Sequence, residues 1–264
     1  MTDSRSSAIP LLGPDDPAPV QWLRRGGASD LMLLVDHAGR AVPASLGRLG
    51  LPDAEFERHI AWDIGVLGVG RLLAEALDAT AIAQAFSRLV IDCNRTPGHP
   101  TSIAPRSDGT EIALNRLCDQ AGRDARRDEI FRPYHDAIAA ELDRRAAAGR
   151  QTALVAVHSF TPSMSGRDRP WHFGVLYNHD PRLGRALLAL MRDEGDLVVG
   201  DNEPYALSDL DDYTVPVHGE RRGLHQVEIE IRQDLIADPE GERAWAERLA
   251  RLLPIALDRA RSPR

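Results

Sequence analysis

The chain is predicted to be an α/β protein, one domain built on a mixed, mostly parallel sheet flanked by helices. Three observations predict it. Short apolar runs at 31–35, 88–92 and 153–157 are bounded by polar residues and read as buried strands, and segments of helical spacing alternate with them. Two of these runs end on a histidine, as Val35-Asp36-His37 and Val157-His158-Ser159. A third strand, Gln226-Val227-Glu228-Ile229-Glu230-Ile231-Arg232, alternates apolar with polar throughout. In open α/β sheets ligands sit beyond the carboxyl ends of the strands. Two histidines at such ends, with a carboxylate-bearing strand further on, suggest a metal hydrolase.

Taken in order, residues 1–19 are rich in Pro, Ser and Asp and read as a loose leader, and 20–264 as one catalytic domain. Residues 31–35 form the first strand. Phe56, Ile60, Ile64, Leu67, Leu72 and Leu73 fall at helical spacing and predict a helix over 55–77. Strands follow at 81–83 and 88–92. The segment 96–111 is rich in Gly, Pro, Ser and Thr and reads as irregular. An Arg- and Ala-rich helix over 124–148 ends near Gly149. After the strand at 153–157 comes a polar loop over 159–173, and loops of that length within a compact domain are often functional. A strand at 174–177, a helix at 181–193 and a short strand at 196–199 precede an irregular stretch over 200–222. The strand at 226–231 and a helix at 240–260 close the chain. No internal repeat is visible.

The 264 residues suffice for a sizeable core. A net charge of −8 disfavours nucleic acid as a partner, because phosphate binding needs a basic stripe. No apolar stretch approaches the ~20 residues of a membrane span, and the first 19 residues lack the basic start and apolar core of a secretory signal. Cys93 and Cys118 are too few for a disulfide framework or a Cys-rich zinc site, so a cytoplasmic, reduced setting is expected. All 32 basic side chains are arginine. That removes Schiff-base, P-loop, kinase and Ser-Lys chemistry. There is no G-x-S-x-G elbow, and Gly65-Val66-Leu67-Gly68-Val69-Gly70 misses the dinucleotide spacing.

Several residues admit two readings. Glu228 and Glu230 share one face of their strand: either solvated charges, or a cleft wall from which a glutamate takes a proton from activated water. Asn94-Arg95 follows an apolar run. That arginine suits a bidentate carboxylate contact or an oxyanion, or else a salt bridge closing a loop. His59 and Asp63, four apart, share a helical face; His59 suits a surface pair. Asp63, between Trp62 and Ile64, is expected to be half-buried, where a metal or an arginine would relieve its carboxylate. His172 and His218 lie in long loops that could rim a cleft. His99, His135, His179 and His225 read as structural.

Five strings together carry a resemblance: Asp36-His37-Ala38-Gly39; Glu57-Arg58-His59-Ile60-Ala61-Trp62-Asp63-Ile64-Gly65; Ser87-Arg88-Leu89-Val90-Ile91-Asp92-Cys93-Asn94-Arg95; Val157-His158-Ser159-Phe160-Thr161-Pro162; and Glu230-Ile231-Arg232-Gln233-Asp234-Leu235-Ile236. In this order and spacing they resemble the N-formylglutamate amidohydrolase family over residues 30–240. That family is similar to zinc carboxypeptidases and to the aspartoacylase and succinylglutamate desuccinylase group, with a zinc-carboxypeptidase/phosphorylase-hydrolase-like fold. In that wider group an Asp-x-Asn-Arg string gives an Asn-Arg pair to the substrate, and Asp92-Cys93-Asn94-Arg95 matches it.

The resemblance implies one Zn2+ ion, other divalent metals being allowed, on His37 and His158. It implies water as nucleophile, Glu230 as general base with Glu228 as fallback, and Arg95 for a substrate carboxylate or the oxyanion. Asn94, Arg88 and Glu228 are the expected substrate contacts. The wider group takes a carboxylate ligand three residues after the first histidine. Arg40 stands there in this chain, so the third ligand comes from elsewhere; the resemblance, through the Trp62-Asp63-Ile64-Gly65 string, and the expected burial point to Asp63. The implied reaction is hydrolysis of a small N-acyl amino acid such as N-formyl-L-glutamate, with a place in histidine catabolism. Two other readings stay open: a metallopeptidase or peptidoglycan-type amidase, and a metal-free binding protein on the same fold.

Overall fold

Runs of Val, Ile, Leu and Ala that are buried on both faces build the centre of a seven-stranded sheet, seen here in a computed structural model that describes residues 10–262. The strands are β1 (Val20–Arg24), β2 (Leu31–Val35), β3 (Thr80–Gln84), β4 (Ala153–Phe160), β5 (Phe173–Leu176), β6 (Val199–Asp201) and β7 (His225–Arg232). Their order is β1-β3-β2-β4-β7-β5-β6. The run β3-β2-β4-β7 is parallel. β1 is antiparallel to β3, β5 is antiparallel to β7, and β6 runs parallel with β5. The sheet direction therefore reverses at β7.

The period-2 geometry of the strands sorts side chains into two cores. Leu31, Leu33, Val35, Val155, Val157, Val227, Ile229 and Ile231 point to one face. They pack there on α1 (Val66–Ala76) and on two helices further along the chain, Arg182–Asp193 and Pro239–Arg261. Met32, Leu34, Ile82 and Leu154 point to the other. They meet Tyr134, Ile138 and Leu142 of the helix Arg132–Ala147. That second face also carries the long loops, and there the site forms. Among the described residues no helix is long and apolar enough to cross a membrane.

The structure departs from the sequence reading in several places, among them the short strand expected at 196–199, which forms over Val199–Asp201. Residues 88–92 are not a strand. Val90 N–H donates to the Ser87 carbonyl at 2.9 Å, so the run is a tight turn whose Leu89, Val90 and Ile91 plug the second core. The helix expected over 55–77 begins only at Val66; a 3-10 turn over Asp53–Glu57 and a non-helical wrap precede it. Gly65 sets that boundary. Its φ is +83°, and a Cβ there would meet the Ile236 carbonyl at 2.1 Å, so the chain turns left-handed against Ile236 before α1 starts. The helix expected over 124–148 runs unbroken over 120–147 but starts earlier and carries a π-bulge over Arg127–Phe131. The edge strand β1 carried too little apolar signal to be read. Of the leader expected over 1–19, residues 1–9 lie outside the described residues. Leu11 is buried, and the N–H groups of Leu11 and Leu12 donate to the Glu129 carboxylate at 2.8 and 2.9 Å.

Candidate active site

Three segments converge above the carboxyl ends of the parallel strands. His37 follows β2 directly. The N–H of Asp63 donates to the His37 carbonyl at 2.9 Å, which clasps the non-helical wrap onto that strand end. His158 lies in β4, opposite Glu230 of β7 in the parallel register. Nδ1 of His37 and Nδ1 of His158 are 3.2 Å apart. Oδ2 of Asp63 is 3.4 Å from the first and 2.9 Å from the second. All three residues are buried.

The outer nitrogen of each ring faces a carboxylate. Nε2–H of His37 donates to Oδ1 of Asp92 at 2.7 Å, which leaves the lone pair on Nδ1. Nε2 of His158 is 3.3 Å from Oδ2 of Asp36, an ion-pair distance off line for a hydrogen bond. Asp36 is itself held by the Tyr134 hydroxyl at 2.9 Å. Arg88 ties Asp92 to Asp63: Nε and Nη2 bind Oδ2 of Asp92 at 3.0 and 2.7 Å, and Nη1 binds Oδ1 of Asp63 at 3.2 Å. Asp63 thus turns one oxygen to arginine and the other to the imidazoles.

This donor set fits a metal ion. Ligand bonds of ~2.0–2.1 Å in a tetrahedral arrangement imply donor separations of about 3.3 Å, close to the separations observed. Ring nitrogens oriented from behind by carboxylates are the usual outer shell of a metal-ligating histidine. The field also favours a cation. Burial opposes charge on His37, yet Asp92 and Asp63 raise its pKa above the usual imidazole value. Burial opposes charge on His158 too, and Glu228, Asp36 and Asp63 push it well up. Asp63 is held low against its own burial by His37, His158 and Arg88.

The polar face of β7 is buried rather than solvated: Glu228 is 4% exposed and Glu230 is 5% exposed. Burial raises both carboxyls, Glu228 to about 7 and Glu230 well above its ordinary range, the latter also under the charges of Asp63 and Glu228. Oε2 of Glu228 accepts from Nδ2 of Asn94 at 3.3 Å. Oε2 of Glu230 has no partner. The Asn94 amide oxygen accepts from the N–H groups of Tyr213 and Thr214 at 3.2 and 3.0 Å, which fixes its orientation. Arg95 lines the cavity and binds Oδ1 of Asp212 at 2.6 Å.

His37, Asp63, Arg88, Asn94, Arg95, His158, Glu228 and Glu230 all line one cavity of about 460 Å3. That volume lies in the range of small-molecule sites. His59 is on its rim, 3.3 Å from Asp108 rather than paired with Asp63, because the segment is not helical. His172 lies away from it, its Nδ1 accepting from Val198 N–H. His218 is buried behind the site against His135. Asp36, Asp92 and Asp212 were not singled out from sequence. The first two could have been, since each sits in a quoted string and a metal-ligating histidine calls for a carboxylate behind it.

The pattern of the N-formylglutamate amidohydrolase family matches residues 29–237. Among solved structures, the gene product Atu2144 from Agrobacterium tumefaciens is 38% identical, with a TM-score of 0.91 over 94% of this chain and 98% of that one. The N-formylglutamate amidohydrolase from Ralstonia eutropha JMP134 is 21% identical, with a TM-score of 0.63 over 93% of this chain and 99% of that one, a likeness of fold. No curated protein matches.

Proposed function

The chain belongs to the N-formylglutamate amidohydrolase family and is a hydrolase of a non-peptide amide, and on that premise we propose that its cavity hydrolyses a small N-acyl amino acid, N-formyl-L-glutamate above all, with one zinc ion held by His37, Asp63 and His158. One observation carries the reading: the three donors meet in the wall of a cavity where the Glu230 carboxyl has a free oxygen. When bound, the ion supplies Lewis acidity, polarising the acyl carbonyl and making water nucleophilic near neutral pH.

The protein's own groups do the rest. Asp92 and Asp36 set the imidazoles so that Nδ1 of each faces inward. Glu230 accepts the proton of the attacking water as the C–O bond forms, then passes it to the departing amine as the C–N bond breaks. For N-formylglutamate the products are formate and glutamate. Glu228, the neighbour two residues back, holds Asn94. Arg95 and Asn94 bind a substrate carboxylate, with Arg95 turning from Asp212 to the ligand. Arg88 keeps Asp63 and Asp92 in register. A cavity of about 460 Å3 suits a small acyl amino acid better than a glycan-linked peptide.

The test is formate release from a panel of N-formyl and N-acyl amino acids, with and without chelator. Chelator-sensitive hydrolysis of N-formylglutamate is expected. Activity that survives metal removal, or cleavage confined to peptides or peptidoglycan fragments, overturns the reading.

A further inference from the structure

The two imidazoles of the site are braced unequally. Asp92, behind His37, is itself held on both oxygens: Oδ1 accepts from the Asn94 N–H at 2.9 Å, and Oδ2 accepts from Nε and Nη2 of Arg88. Asp36, behind His158, is 1% exposed and is held by one hydrogen bond, from the Tyr134 hydroxyl to Oδ1 at 2.9 Å. Its other oxygen, 3.3 Å from Nε2 of His158, has no donor. A buried carboxylate with a single donor owes its orientation to that donor, because turning away leaves both groups unsatisfied.

The hydroxyl is delivered by a rigid element. Tyr134 is fully buried near the start of the helix Arg132–Ala147. Ile138 and Leu142, four and eight residues on, share its stripe and pack into the second core. The next residue, His135, donates from Nε2 to the Cys93 carbonyl at 2.8 Å, which ties this turn of the helix to the segment joining Asp92 to Asn94. The π-bulge over Arg127–Phe131 lies just before the turn, and such bulges are frequent at functional sites. Burying a phenol O–H is costly unless it finds an acceptor. Phenylalanine would fill the same apolar space, so what tyrosine adds at position 134 is the contact with Asp36.

We propose that Tyr134 is a positioning residue for the metal site: through Asp36 its hydroxyl orients the ring of His158 and so turns Nδ1 toward His37 and Asp63. This role rests on the reading of His37, Asp63 and His158 as metal ligands, and it can be tested without turnover.

Tyr134→Phe removes one oxygen and keeps the ring. Zinc affinity is measured by competition against a chromophoric chelator for the native protein, Tyr134→Phe, Asp36→Ala and the double variant, and the Tm of each is taken in excess chelator. Tyr134→Phe is expected to weaken zinc binding by about 3- to 10-fold, the scale of one hydrogen bond, against about 10- to 100-fold for loss of the carboxylate. In the Asp36→Ala background the same change is expected to cost less than about 1.5-fold, because the hydroxyl has nothing left to orient. Asp36→Leu, closer in volume, takes the place of Asp36→Ala if that variant does not fold. A role in packing alone lowers Tm and weakens zinc binding equally in both backgrounds, and that result overturns the proposal. Native and Tyr134→Phe proteins that bind zinc equally well also overturn it, while leaving the metal reading in place. A native protein that binds no zinc defeats the metal reading and the role of Tyr134 together.

Discussion

Asp92 accepts a 2.7 Å hydrogen bond from Nε2 of His37 and, through its other oxygen, holds Arg88. One carboxylate thereby fixes a ring tautomer and anchors the arginine that holds Asp63. Asp92→Asn is expected to weaken metal binding by about 10- to 100-fold, the usual cost of losing an outer-shell partner. Competition against a chromophoric chelator reads this directly. Asp36→Asn tests the same relation at His158 and is expected to act in the same direction.

The two glutamates of β7 separate by what they touch. Glu230 has a free oxygen in the cavity, whereas Glu228 is engaged by Asn94. Glu230→Gln is expected to retain metal and lower kcat by about 10²- to 10⁴-fold, the range for a lost general base. Glu228→Gln is expected to act more mildly and chiefly on KM, through Asn94. Metal content and steady-state kinetics on both variants decide it; the reverse pattern would move the base to Glu228.

Arg95→Ala is expected to lower kcat/KM for N-formylglutamate by at least about tenfold, and to narrow the gap between that substrate and its α-ester. Arg95→Lys restores charge without the planar fork and is expected to recover only part. If the native protein cleaves the acid and the α-ester equally, Arg95 does not anchor a carboxylate.

His135 and His218 make a pH prediction. Nε2–H of His135 donates to the Cys93 carbonyl at 2.8 Å, so its Nδ1 accepts from Nε2 of His218 at 2.9 Å, and Nδ1 of His218 is left bare. Burial holds both rings neutral, with pKa values lowered to about 4 for His135 and about 3 for His218. In the unfolded chain each ring takes up a proton near pH 6.5, so below that pH the unfolded state binds more protons. Stability is therefore complete above pH 6.5 and falls as pH drops toward 4, by up to ~1.4 kcal/mol per pH unit for each ring. Urea unfolding at pH 7 and pH 5 measures the loss. His218→Gln is expected to flatten the slope, and an unchanged slope in that variant sinks the assignment.

Gly65→Ala is expected to lower Tm and loosen metal binding together. The residue combines φ +83° with a backbone carbonyl where a Cβ would go, and it lies two positions from Asp63. A side chain there must move the wrap that delivers the carboxylate. Thermal unfolding and chelator competition on one preparation show whether the two effects travel together.

Much of the site was legible because strand parity is local information. A run of five or six residues tells which side chains share a face, and so Glu228 and Glu230 fall on the side where His158 lies. Strand ends are legible too, since the apolar run stops there, as it does before His37. The turn at 88–92 was not, because Leu89, Val90 and Ile91 are as apolar in a plug as in a strand; what distinguishes them is the Ser87 carbonyl and the packing beneath. The wrap before Gly65 has helical spacing for a similar reason: Phe56 and Ile60 face the second core while Val66 and Val69 face the first. The pairings of Arg95 with Asp212 and Arg88 with Asp63 span 117 and 25 positions, distances over which periodicity says nothing.

The donors that meet in this site lie far apart along the chain, the two histidines being 121 positions apart. Bringing them together requires β2 and β4 to be paired. An unfolded chain therefore offers an ion only scattered single donors, and nearly all of the binding free energy falls to the folded state. By mass action that raises stability by RT ln(1 + [L]/Kd), about 4 kcal/mol when free ion stands at a thousand times Kd. If the site takes an ion as proposed, the lifetime of this protein would be set in part by the local supply of that ion.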